Sequence, residues 1–136
     1  MAYIDGFGAA VPTANREIYL EYAKKFDALF IAHGALNAVE CWEDDVPEGK
    51  LTSFPMAVKR EPDETVVFSW VVWPSKQVRQ SAHAKVQADP RMQPDKVDVS
   101  VFDGKRMIYG GFLPLVGDPS NAPAVQPYLF YRGRCE

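Results

Sequence analysis

Nine consecutive residues, Thr65 to Trp73 (TVVFSWVVW), are β-branched or aromatic at every position but Ser69. A run of that length and composition is a strand buried on both faces, and Pro74 ends it. A doubly covered strand forces a layered domain: each face of its sheet must be met by helices or by another sheet. The rest of the chain shows what is available to do this.

Between Pro12 and Pro47 there is no proline, and Ile18, Tyr22, Phe26, Leu29, Phe30 and His33 recur at helical spacing. This predicts a helix from about Ala14 to His33, with Thr13 as its cap and Gly34 as the left-handed residue past its end. Before it, residues 2–11 alternate as a first strand, with Tyr3, Asp5 and Phe7 on one face and Ile4, Gly6 and Gly8 on the other. After it, Leu36, Ala38, Glu40 and Trp42 alternate with Asn37, Val39 and Cys41 as a second strand running into the acidic loop EDDVPEGK. A minor strand is expected near Ser53 to Lys59. Ser75 caps a second helix to about Asp89, with a stripe of Val78, Ala82 and Val86, and Pro90 stops it. A turn at Asp103-Gly104 leads into RMIYGGFLPL, the last strand, where Gly110-Gly111 marks a bulge or a close backbone approach.

The order strand, helix, strand, strand, helix, strand is the split βαββαβ arrangement, an α+β ferredoxin-like unit with an antiparallel sheet. Both helices cover the same face. A chain of 136 residues holds nothing else to cover the other, so the expectation is a homodimer, sheet against sheet, as a dimeric α/β barrel. The unit is expected over 1–116. Residues 117–136, with three prolines and no period, are expected to form an irregular tail.

Composition narrows the function classes. A 15.2 kDa chain with 47% hydrophobic and 12% aromatic residues is a single globular domain, not a disordered segment. Its longest uncharged stretches are too short to span a bilayer. Net charge is −3 and pI about 5.4, which gives no basic field for nucleic acid. That charge divides unevenly: residues 1–68 carry 6 basic and 12 acidic groups, residues 69–136 carry 9 and 6. Cys41 and Cys135 are far apart without partner spacing, and MAYIDGFGAA has no basic leader, so a reduced cytoplasmic protein is expected.

The segments VECWEDDVPEGKLTSFP, TVVFSWVVWPSKQVR, ADPRM and FDGKRMIYGGF follow an opening YIDGF and a helix closing in HGA. In this order they resemble the YbaA-like family of small uncharacterised bacterial proteins (domain of unknown function 1428). The resemblance covers about residues 2–114; Gln93 to Val101 and the tail after Leu115 depart from it. It implies a ferredoxin-like unit of the dimeric α/β-barrel superfamily and a cytosolic homodimer, and it carries no catalytic residues to transfer.

Several residues are candidates for a ligand pocket. Glu40 is a carboxylate in mid-strand and needs a partner or a cavity; Arg106 on the last strand is the candidate partner. Trp42, Trp70 and Tyr109 are candidate walls, with Ser69 or Arg106 as polar contacts according to which sheet face lines the interior. His33, at a helix end, is a candidate proton donor or acceptor. Ser75, Lys76 and Arg79, in the first turn of the second helix, form a candidate anion site, with Arg91 beyond that helix. No His, Cys and carboxylate set has metal-ligand spacing, and Gly6-Phe7-Gly8 lacks the rest of a dinucleotide fingerprint, so neither metal nor organic cofactor is expected. The first functional expectation is a small, partly apolar molecule bound in the barrel interior, with cofactor-independent turnover as an extension. The alternative is a non-enzymatic interaction or regulatory protein using the tail or the acidic loop as its contact surface.

Overall fold

The structure, a computed structural model, describes residues 1–92 and 100–119. Its order is β1 (Tyr3–Pro12), α1 (Arg16–Ala32), β2 (Asn37–Trp42), a single helical turn α2 (Phe54–Ala57), β3 (Glu64–Trp73), α3 (Lys76–Ala88) and β4 (Ile108–Phe112). The strands form one antiparallel sheet in the order β2-β3-β1-β4. This is the ferredoxin-like α+β topology expected from the order of elements. The TVVFSWVVW run is β3, held between β2 and β1.

Strand alternation divides the sheet into two unlike faces. Toward the helices point Tyr3, Ala9 and Val11 of β1 and Val67, Val71 and Trp73 of β3. They pack with Tyr19 and Ala23 of α1 and Ala82 of α3 in two buried clusters. On the opposite face, α2 and Val58 cover one end, over Ala10 and Val66. Among the described residues nothing covers the remainder, and Phe54, Phe68, Ile108 and Phe112 are between 42% and 60% exposed there. Gly6, Gly8 and Gly110 line a hollow of about 220 Å³ among those rings.

Four local expectations are corrected. Thr13 does not cap α1; its hydroxyl lies 2.7 Å from that of Thr65, and the helix starts behind Asn15. The helical stripe holds through Tyr22, Phe26, Leu29 and Phe30 but begins at the buried Tyr19, since Ile18 is exposed. Residues 53–59 make a helical turn and not a strand, because Ser53 accepts from the Met56 N–H and Pro55 fits a first turn that needs no donor. Gly110 and Gly111 pair regularly with Gly6 and Asp5, so there is no bulge. The close approach is a ring: a Cβ on Gly111 would stand 2.7 Å from Tyr3 Cε1. Other readings hold. Gly34 has φ of +114°, and Ser75 caps α3 by accepting from the Val78 N–H. The expected tail lies outside the described residues from 120 onward, as does Cys135.

Candidate functional site

Glu40 of β2 stands opposite Ser69 of β3, and Ser69 opposite Phe7 of β1, so the three share one level of the sheet on its helix-facing side. Over them α1 lays Tyr19, Tyr22, Ala23, Phe26, Asp27 and Phe30, enclosing with Phe102 and Met107 a cleft of about 120 Å³. The rings form a chain: Tyr22 and Phe26 centroids are 4.7 Å apart, and Phe102 meets Tyr19 and Tyr22 edge-on at 5.9 and 5.6 Å.

Glu40 is the polar centre of this cleft. Tyr19 Oη donates to its Oε2 at 2.8 Å, and the Asp27 and Ser69 side chains line the cleft beside it, near enough to influence its titration. Two neighbouring carboxyl groups resist ionising together. Tyr19 donates to Glu40, which favours Glu40 as the anion and Asp27 as the protonated partner. Burial, and then the charge of Glu40, push Asp27 up to about 7. Burial also raises Glu40, against the Tyr19, Asp27 and Ser69 side chains, which pull it down. The phenols follow: burial and the nearby Glu40 raise Tyr22 to about 12 and push Tyr19 higher still. With Asp27 raised to about 7, the pair gains and loses a proton around neutral pH, the arrangement that acid–base chemistry uses.

Of the residues singled out in the sequence, Glu40 and Ser69 line this cleft. Trp42 lies beside it, its ring 6.5 Å from that of Tyr19 and with the Arg16 guanidinium 5.8 Å above, in an adjoining hollow that Glu40 also borders. Trp70 is on the opposite face, against Phe68. Tyr109 stands on the edge strand, 71% exposed. The anticipated Glu40–Arg106 pair does not form. Arg106 lies in a short turn before β4, not on the strand, and grips Glu64 at 2.7 Å through two nitrogens, with a further bond to the Lys59 carbonyl. His33 follows α1 as expected but faces Asp89, its Nε2 3.2 Å from Oδ2, away from the cleft.

The expected anion site is not assembled either. Arg79 is committed to the buried Asp5 carboxylate, which also accepts from Trp73 Nε1 at 2.9 Å and lies 3.0 Å from His83 Nε2. Ser75 is occupied as a cap, Lys76 is exposed, and Arg91 pairs with Asp89 at 2.7 Å. Among the described residues, no group of three His, Cys, Asp or Glu is placed to hold a metal ion, and no helix is long and apolar enough to cross a membrane. Sequence reasoning missed Asp27, Tyr19 and Tyr22. The signal was there: Tyr19, Ala23 and Asp27 follow at intervals of four along α1, so a carboxylate shares the core-facing side of the helix.

Fold and site together define a ferredoxin-like α+β protein with an acid pair set in an aromatic cleft between helix and sheet. The chain belongs to the family described as Protein of unknown function (DUF1428), whose family model matches residues 2–104. It is 52% identical over 118 residues to "Uncharacterized protein YbaA" of Escherichia coli strain K12, spanning 87% of this chain and all of that one. A Shigella flexneri protein of the same description matches to the same extent. Among solved structures, a dimeric ferredoxin-like protein from an uncultured marine organism superposes with a TM-score of 0.58 at 9% identity, covering 87% of this chain and 100% of that one. That likeness shows the shared fold. SnoaB, a cofactor-independent oxygenase from Streptomyces nogalater, aligns at 0.46 and 16% identity, covering 87% of this chain and 95% of that one, too loosely to bear on function.

Proposed function

We propose that the protein is a cytosolic homodimer that binds a small, partly apolar molecule in the cleft between α1 and the sheet, where the Asp27–Glu40 pair exchanges a proton with it. One observation carries this reading: two neighbouring carboxyl groups, Asp27 and Glu40, line one cleft whose other walls are mostly aromatic. A purely structural core gains nothing from such a pair, because desolvating carboxyls without a cation is unfavourable and apolar side chains of the same volume would pack better. Carboxyls displaced from their ordinary range by burial and by each other are a signature of functional sites. Dimerisation rests on the apolar face of the sheet that the described residues leave exposed at Phe54, Phe68, Ile108 and Phe112. This moves the expected ligand site from the sheet-to-sheet interior to the helix side of each sheet.

Native mass spectrometry of freshly purified protein reads subunit count and retained ligand together. The expected species is two chains carrying a small-molecule adduct that disappears in Ser69→Leu, a substitution that fills the cleft. A single chain overturns the dimer, and an adduct that survives Ser69→Leu places the ligand elsewhere.

A further inference from the structure

The cleft is one-sided in charge. Among the described residues lining it, Asp27 and Glu40 are the carboxyls, Tyr19 and Tyr22 the phenols, and there is no Lys, Arg or His. β1 contributes only Phe7, Gly8 and Ala9, β3 contributes Val67, Ser69 and Val71, and Phe102 and Met107 close the far side. Neighbouring cations are engaged elsewhere: Arg16 with Glu17 and the Trp42 ring, Lys24 with Glu21. Lys25 borders a separate groove beside Pro90.

Resting on the reading of this cleft as the ligand site, we propose that it selects a small organic cation, a protonated amine on a short apolar body, which replaces the proton shared by Asp27 and Glu40. An ammonium group carries several N–H donors and can bond both carboxylates at once, where a shared proton can join them by only a single bond. The faces of Tyr22, Phe26, Phe30 and Phe102 attract a cation through their quadrupoles and accommodate its hydrocarbon part. An anion would meet a carboxylate and find no positive partner. A neutral alcohol would leave the acid pair as it is and gain one weak bond. Size sets a further limit: 120 Å³ is less than the roughly 150 Å³ of a cavity known to admit benzene, so the enclosed body has about five or six heavy atoms.

The proton balance is explicit. The ammonium ion enters a site holding one carboxylic acid and one carboxylate, pairs with two carboxylates, and one proton leaves to solvent. Because burial and the neighbouring Glu40 raise Asp27 to about 7, that proton is loosely held at neutral pH. Amine affinity should therefore rise with pH from about 6 to 8, until the amine itself begins to deprotonate near its own, roughly lysine-like pKa.

The test is calorimetry on the full chain with cyclopentylamine, cyclopentanol and cyclopentanecarboxylate, in buffers of different ionisation enthalpy, with amide chemical shifts to locate binding. The expected result is amine binding at least about tenfold tighter than the alcohol, no carboxylate binding, shifts at Tyr22, Asp27 and Glu40, and net proton release at pH 7. Glu40→Gln should weaken amine binding by about tenfold or more. Should that variant fail to fold, proton release in the wild type decides. Alcohol or carboxylate bound at the same residues as tightly as the amine overturns the cation inference and leaves the cleft reading standing. No shift at the cleft with any of the three overturns both.

Discussion

Removing the Tyr19 hydroxyl takes from Glu40 a donor that favours its anion. Tyr19→Phe should push the Glu40 carboxyl further above its ordinary range and cost about 1 kcal/mol of stability, read by carboxyl NMR and urea unfolding. Asp27 sets a pH dependence of definite sign. Its folded pKa is raised, so the folded chain keeps a proton that the unfolded chain releases. The stability this gives is full below about pH 4 and is lost as pH rises through about 7. Asp27→Asn should abolish that loss, gaining roughly 1–2 kcal/mol on the wild type between pH 4 and 7.5, once partial exposure is discounted. Carboxylates drawn down by arginine work in the opposite window. Glu64, held by Arg106, loses its contribution as pH falls through its depressed pKa. At this scale Glu40 and Ser69 were legible because strand alternation fixes which face a residue takes. Asp27 was hidden by a stripe started at Ile18 instead of Tyr19, and the partners of Arg79 and Arg106 were not readable because long side chains choose among carboxylates brought close only by the fold.

Elements are held in place by polar locks as much as by apolar area. Asp5 on β1 is 2% exposed and is matched by Arg79 and Trp73, tying the first strand to the start of α3 and the end of β3. Arg79→Met leaves that carboxylate buried without its main cation and should cost about 3–5 kcal/mol in equilibrium unfolding. Ser75→Ala removes one capping bond and should cost only about 1 kcal/mol. The limits of α1 and α3 were legible to within two residues, since prolines, Ser75 and Gly34 act locally. The stretch 53–59 was not. Its short pattern fits strand and helix alike, and Ser53 and Pro55 decide for the helix through backbone donors that spacing alone does not reveal.

The order of elements made the sheet topology of the whole molecule legible, and with both helices on one face it left an apolar face for which a second copy is the proposed cover. Phe68→Asp places a charge at the centre of the open face and should convert a two-chain species into a single chain in sedimentation velocity, with helical content unchanged. A wild type that already sediments as one chain would remove the proposed interface without touching the cleft, which lies on the other side of the sheet. The proposed function of the cleft turns on the proton shared by its two acids. The most direct measurement is a carboxyl-carbon NMR titration of Asp27 and Glu40 in the unliganded protein. The account predicts two linked steps, both residues responding to each, with the upper midpoint near 7. Independent titration of both groups at about 4, as for exposed carboxyls, would contradict it.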